Sequence, residues 1–527
     1  MTLHENILKL RTGMKLSQEE FAERLNVTRQ SVQKWESGNA NPSLDVLINI
    51  SKIFHVSVDA LLFNSNARID EEKAGNRKVF PDYEGLNDWE FYSDDLQTEY
   101  RQLEEEGADV SEYKELFESV FKLKRNRHKE KMGDILFEMS LNMPQRKDYP
   151  YQEPSDLEGI RTLRKKYDIS GQIPEGNVLR EKIAGAWNGR LAGCLSGKPV
   201  EGMRSYELQT FLKETGNYPM TRYMVHADVT EELIKKLNWG IDHAYAYADR
   251  VECAPVDDDT NYTVLCQKIV DEFGKNFTSQ DVARSWVKYQ PKDAYCTAER
   301  VAFKNIILGY NPPDTAIHQN PYREWIGAQI RADYFGYINP GNPERAAEMA
   351  WRDASISHTK NGIYGAMFVA AMIACAAVCK DIEEVIEGGL AQIPSTSRLY
   401  EAVRNILKQY RDGVSGKKVF SGIANRWDEN DWHCWTHTIS NAEIVVAALL
   451  FGEDDYSKSV GMAVQMGFDT DCNGATVGSI MGMKNGLSSI PQAWLKPLNG
   501  KLETSIFGVN TIEIDKLIEK TLEHINS

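Results

Sequence analysis

Apolar positions recur at helical spacing along most of the chain, in zones of different texture. Residues 1–63 are dense in short helical patterns. Residues 64–95 are polar and lack periodicity, as a linker would. Over 96–146 the pattern turns helical again: Tyr113, Leu116, Phe117, Val120 and Phe121 share one face at i, i+3, i+4 spacing. The basic run from Lys122 to Lys131 reads as a solvated helix face. From 180 onward Ala-rich segments alternate with loops, strand signals are few, and no long repeat is evident. The most apolar stretch, Gly362 to Cys379, is rich in Ala and Gly and lies between Lys360 and Lys380. It predicts a buried core helix, because a membrane span wants about 20 strongly apolar residues. The pattern therefore predicts an all-α protein: a small head (1–63), a linker and connecting region (64–179), a large helical domain (180–500) and a helical tail (501–527).

Within the head, Ser17 to Gly38 can be read position by position. Ser17 with Glu20 forms a capping box that opens a helix. Ala22 is small where a second helix must cross. Asn26 and Val27 make the turn, Thr28 caps the next helix, and Val32 and Trp35 give that helix an apolar face. Gly38 closes it and Pro42 forbids continuation. Leu44, Leu47, Ile48 and Ile50 supply a further core helix. This pattern resembles the Cro/repressor-type helix-turn-helix family over residues 5–63. The resemblance implies DNA as a partner. Thr28, Arg29, Gln30, Ser31 and Lys34 would start or line a recognition helix in the major groove. Gln30 suits adenine, Arg29 suits guanine or a phosphate, and Gln18 would bond the DNA backbone. Such heads work as dimers on two-fold sites, so a homodimer is expected. A helix-turn-helix used only for dimerisation is the alternative.

Charge narrows the picture more than composition does. At 42% hydrophobic and 26% charged the chain is ordinary globular material. Residues 1–63 hold seven Lys/Arg and seven Asp/Glu, so the formal net charge of -16 lies entirely beyond them. An acidic body excludes nonspecific wrapping of nucleic acid, which needs clustered cations. Any DNA contact is then local to the head. The 8 cysteines form no CxxC pair, which argues against zinc. Free thiols without a signal peptide predict a cytoplasmic protein with no membrane partner.

Two acidic clusters stand out in the large domain. The first is Asp257-Asp258-Asp259-Thr260-Asn261; the second is Asp469-Thr470-Asp471-Cys472-Asn473. Each precedes a helical run. One Asp at a helix N-cap is common and structural. Three in a row plus a DxD are more than capping requires. If the clusters meet, the carboxylates repel unless protonated or neutralised by a cation. Oxygen ligands without His or Cys favour Mg²⁺, Mn²⁺ or Ca²⁺ over zinc. Ahead of the first cluster, Gly185, Gly189, Gly193 and Gly197 recur every fourth residue, and Glu201 follows on a loop. Between the clusters, His358, Asn361 and Tyr364 open the apolar helix. His433 and His437, with Trp432 and Trp435 among them, read as core packing or pocket wall.

The order of these motifs over residues 180–500 resembles the ADP-ribosylglycohydrolase family (dinitrogenase-reductase-activating glycohydrolase and relatives): the glycine series ending in Pro199-Val-Glu201-Gly202, then DDDT, then SHTKNGIYG, then GFDTDCNGATVGS. The resemblance implies an all-α domain, two Mg²⁺ ions (Mn²⁺ as the substitute), and hydrolysis at the anomeric carbon of an ADP-ribose-containing substrate. Carried over position by position, Asp258 and Asp259 match one metal pair and Asp469 and Asp471 the other. Glu201 matches the loop glutamate beside the substrate ribose, and His358 a histidine near the nucleotide pocket. Asn361 and Tyr364 follow as pocket neighbours. Asp257 and Cys472 stand where relatives have Thr or Ser. The added carboxylate would reshape a metal site, and a thiol is a poor ligand for a hard cation. In the expected chemistry, Asp258 or Asp259 or Glu201 takes a proton from water. A transcription regulator whose large domain senses ADP-ribose or an NAD-derived metabolite without turnover is the competing reading. A structural descendant that binds neither is a third, and an acidic cluster left without metal argues against it.

Overall fold

The computed structural model describes residues 3–56, 58–63, 81–237 and 245–527. Most of the linker expected at 64–95 lies outside the described residues. The chain divides into two compact units, Met1–Asp82 and Tyr83–Ser527. Both are helical. Among the described residues the one sheet is an antiparallel pair, β1 (Lys501–Glu503) with β2 (Thr511–Glu513).

The first unit holds α1 (Leu3–Gly13), α2 (Gln18–Leu25), α3 (Arg29–Glu36), α4 (Leu44–Phe54) and α5 (Val58–Phe63). Its core is Ile7, Phe21, Leu25, Val32, Trp35 and Ile50. The capping box at α2 forms in both directions: Ser17 Oγ accepts from the Glu20 amide, and Glu20 accepts from the Ser17 amide at 2.7 Å. Asn26 turns the chain with φ 54, and Thr28 caps α3 by accepting from the Ser31 amide at 3.2 Å.

The second unit is built on two helices, Gly176–Gly197 and Thr470–Asn485, that lie almost backbone to backbone. A Cβ placed on Gly185 would sit 2.2 Å from the Gly482 carbonyl oxygen. On Gly189 it would sit 2.2 Å from that of Gly478, and on Gly193 2.0 Å from that of Gly474. The pairs run in opposite directions, so the helices are antiparallel. Spacing of four residues keeps the glycines on one stripe of each helix. The seam brings the C-terminal end of the first helix, with Lys198 and Glu201 just beyond, beside the N-terminal end of the second, with Asp469 and Asp471.

The apolar stretch is the buried helix Lys360–Ala376, every residue of which from Asn361 on is buried. No helix among the described residues is long and apolar enough to cross a membrane. The C-terminal helix Ile514–Asn526 belongs to the same core: Trp187 Nε1 donates to Thr521 at 3.0 Å. The connecting region is also part of the unit. Helices Leu96–Glu105, Lys114–Phe121 and Arg127–Ser140 share a core of Leu96, Leu103, Phe117, Val120 and Leu136. The basic run is not simply a solvated face. Lys129 is buried, and it and Arg125 both pair with Asp94.

Candidate functional site

The glycine seam and a third helix converge on one acidic cavity of about 610 Å³. Helix Asp258–Phe273 starts there with Asp257 as its N-cap. Asp257 Oδ1 accepts from the Asp259 amide at 2.9 Å, and Oδ2 is paired with the Lys198 ammonium. Both oxygens of Asp257 are thus engaged within the protein. Against the burial that pushes it up, Lys198 holds Asp257 below the usual carboxylate range. Capping and this ion pair engage Asp257, which with Cys194 and Asp259 also offers ligand atoms within 4.8 Å of one another.

Asp469 behaves differently. It occupies the N-cap of Thr470–Asn485, yet its side chain makes no capping hydrogen bond. It lines the cavity with Asp258, Asp471, Cys472 and Glu201. Asp259 lies behind them, fully buried, with Oδ1 on Arg190 at 3.0 Å. Arg190, between two seam glycines, also reaches Asp333 at 2.8 Å and the Asp259 carbonyl at 2.8 Å. Asp259, Asp471 and Cys472 offer ligand atoms all within 4.8 Å of one another.

These carboxylates lack enough counter-charge. Burial, then Asp257 and Asp471, pushes Asp258 up to about 7. Burial and Asp257 push Asp471 up to about 6. Asp259 and Asp469 are held well above the usual range, chiefly by burial, and Glu201 chiefly by Asp471. Asp259 Oδ2 and Asp471 Oδ1 are buried with no hydrogen-bond partner. Unpartnered oxygens aimed into a carboxylate cluster fit a hard divalent cation. The Cys472 thiol, pushed up by burial and the neighbouring aspartates, hydrogen-bonds Asp469 instead of competing as a thiolate.

His358, Asn361 and Tyr364, expected beside the substrate, do not line the cavity. His358 is buried with Nδ1 on Ser357 Oγ at 2.8 Å. Asn361 donates to Glu153 at 2.8 Å and Glu324 at 2.9 Å, and Tyr364 donates to the Pro154 carbonyl at 2.5 Å. All three are tied to groups of the protein around the start of the helix Lys360–Ala376. His433 and His437 approach Glu105 closely enough to suggest a metal set. Their tautomers argue against it. Nδ1 of His433 accepts from Trp325 Nε1–H, and Nδ1 of His437 accepts from the Ile439 amide. The ring proton is left on Nε2, the atom a metal would need, whereas a metal-bound histidine donates its other N–H.

The sequence reading missed Arg190 and Lys198, the cations that hold the cluster. It also missed further lining of the cavity by Asp88, Trp89, Asp95 and Thr98, which share it with Trp432 and Trp435. In the head, Arg29, Gln30 and Lys34 are exposed and Ser31 is half-buried. Gln33 shares their face and went unread. Thr28 is committed to its cap. Gln18 donates to Glu36 at 2.7 Å, the carboxylate that also binds Arg11.

Comparisons agree with this division. A helix-turn-helix model matches residues 7–61. Over 62 residues the chain is 47% identical to the HTH-type transcriptional activator BcrR of Enterococcus faecalis, covering 12% of this chain and 30% of that protein. It is 40% identical over 81 residues to the uncharacterized HTH-type transcriptional regulator YqaE of Bacillus subtilis (strain 168), covering 15% of this chain and 68% of that one. A solved ADP-ribosylglycohydrolase-related protein complex aligns with a TM-score of 0.43 and 15% identity over 67% of this chain and 99% of its own. The ADP-ribosylglycohydrolase model matches residues 175–525, which span the glycine seam and both aspartate clusters. The chain therefore belongs to the ADP-ribosylglycohydrolase family and carries a helix-turn-helix head.

Proposed function

We propose that the large unit hydrolyses the glycosidic bond of ADP-ribose on a modified group, using Mg²⁺, and that the head binds specific DNA. The observation that carries this reading is the convergence of Asp258, Asp259, Asp469, Asp471 and Glu201, with Arg190 and Lys198 as the cations paired to the cluster among the described residues. Asp258, Asp469 and Asp471, with the free oxygen of Asp259, would hold the divalent cation. When bound, such a cation supplies Lewis acidity and a more acidic water at neutral pH.

The remaining work falls to the protein. Hydrolysis at an anomeric carbon passes through an oxocarbenium-like state, and a ring of carboxylates stabilises that positive charge. Glu201, on the loop after the turn Lys198–Val200, lines the cavity and carries a proton more readily than an ordinary glutamate. It would give that proton to the leaving atom and receive one from water afterwards. Arg190 fixes Asp259, and Lys198 fixes Asp257, so the two aspartates that flank Asp258 keep their direction.

In the head, Gln30, Gln33 and Lys34 would meet the major groove, Arg29 a guanine or phosphate, and a dimer would read a two-fold site. The regulators it resembles support a role at DNA. One observation favours a sensing role without turnover: the Lys198 ammonium already neutralises one carboxylate of the cluster, which weakens its call on metal. Release of ADP-ribose from a panel of ADP-ribosylated substrates, with Mg²⁺ or EDTA, separates the two. Turnover with Mg²⁺ that is lost in Asp469→Asn/Asp471→Asn is the expected result. Binding of intact ADP-ribose without release from any substrate would establish the sensor.

A further inference from the structure

Part of the cavity lining comes from a segment that the family match does not include. Asp88, Trp89, Asp95 and Thr98 precede residue 175, where that match begins. The segment is firmly docked. Glu90 pairs with Lys292 and with Arg300 at 3.4 Å, and Lys304 donates to the Glu90 carbonyl at 3.4 Å. Arg125 and Lys129 clamp Asp94, and the Tyr322 hydroxyl hydrogen-bonds Asp95. Further on, Glu99 binds Arg323 at 2.9 Å. Trp89 packs on Ala298, Val301, Tyr322 and Trp325, under the guanidinium of Arg300. Its backbone is held at φ 64, a region that bulky residues avoid unless their surroundings impose it.

The same cavity is lined by Trp432 and Trp435, whose rings meet edge to face with centroids 5.0 Å apart. Trp435 is 3% exposed, and its Nε1–H has no partner. A buried indole donor is ordinarily satisfied, so an unpaired one on a cavity wall is an open position for a ligand acceptor. No Lys, Arg or His lines the cavity among the described residues. Phosphates would meet Asp88 and Asp95, beside an Arg300 guanidinium already paired with Glu90 and Asp293. A neutral planar ring bearing an acceptor for Trp435 and a donor for a carboxylate matches every group present. A purine edge has both.

We propose that residues 88–98 complete the substrate cavity as the purine subsite, with Trp89 as the stacking surface, Trp435 Nε1–H as the ring-nitrogen donor and Asp95 as the acceptor for the exocyclic amine. This rests on the reading of the site as one for ADP-ribose. It makes the connecting region a determinant of specificity.

The test is calorimetric titration of the full-length protein with ADP-ribose, AMP and ribose 5-phosphate. Trp89→Leu should weaken ADP-ribose and AMP on the order of tenfold, as loss of one base stack does, and leave ribose 5-phosphate unchanged. Trp89→Phe, which keeps a ring, should retain the affinity. It should also lose part of the change in tryptophan emission that AMP produces in the wild type. That second readout decides the matter if the Leu variant does not fold. Unchanged ADP-ribose affinity in Trp89→Leu, equal weakening of all three ligands, or an AMP-induced emission change fully kept in Trp89→Phe overturns the subsite. A wild type that binds none of the three overturns the ADP-ribose reading itself.

Discussion

Asp257 and Asp469 occupy the same position, the residue before a helix, and their side chains do opposite things. Asp257 spends one oxygen on its helix and the other on Lys198; Asp469 spends neither on its helix. The motif was legible in the sequence, but this difference was not. It depends on Lys198, 59 positions away in the chain. Breaking a buried pair by removing one partner costs about 3–5 kcal/mol, because it leaves a buried charge alone. Lys198→Met should therefore lower stability by that order without added metal. Mg²⁺ should restore more stability to the variant than it adds to the wild type. Urea unfolding with and without Mg²⁺ measures both, and equal Mg²⁺ gains in the two proteins would remove Lys198 from the site's charge balance. His358, Asn361 and Tyr364 fell elsewhere for a related reason. Their spacing fixes one helix end, but which of its sides meets the cavity is decided by Glu153, Glu324 and Arg398 from distant segments.

At the scale of elements, helices, caps and the head's turn were readable because their causes are local. The glycine series announced close approach; its partner helix, with Gly474, Gly478 and Gly482, could be recognised only once the two were paired. Gly193→Ala forces a Cβ to 2.0 Å from a backbone carbonyl. The expected cost is at least about 1–3 kcal/mol, together with a loss of Mg²⁺-induced stabilisation as the two ends of the seam part. Gly422→Ala, on a helix with nothing closer than 3.8 Å, should instead be neutral or stabilise by about 0.4–1 kcal/mol. Thermal melts of the pair separate the seam's role from helix propensity. The connecting helices were visible as a pattern, but their docking was not, since Lys129 reads as solvent-facing until Asp94 is seen to hold it. On α3, Gln30→Ala should relax preference at one base position. Lys34→Ala should weaken binding across sequences alike, as measured by gel shift against specific and random duplexes at two salt concentrations.

For the whole molecule, an unbalanced acidic cavity makes stability depend on pH in a definite sense. Carboxylates raised in the folded state, with Asp258 and Glu299 up to about 7 and Asp471 up to about 6, hold protons that the unfolded chain has released. Their contribution is fully present below the ordinary carboxylate range and is lost as pH rises through about 7. A cation acts in the other direction. The Mg²⁺-induced rise in melting temperature should be larger at pH 8 than at pH 5.5, and a shift independent of pH would place the ion elsewhere. The all-α architecture and the two-part organisation could be read from periodicity and motif order. The participation of residues 83–146 in the large unit could not, because docking leaves little trace in local periodicity. The glycine seam carries one last consequence. A stripe repeating every four residues is degenerate: sliding one helix along the other by one repeat, about 6 Å, would still set most glycines against glycines. The stripe fixes how near the helices come but not which rung meets which. Registration must come from the aperiodic contacts that cross it, such as Thr470 Oγ1 on the Gly197 carbonyl and the Lys182 ammonium on the Met483 and Lys484 carbonyls. The seam works like a vernier scale with a few locking pins, and the Thr470 pin sits between Asp469 and Asp471, where a slipped rung would pull the two halves of the acidic cluster apart.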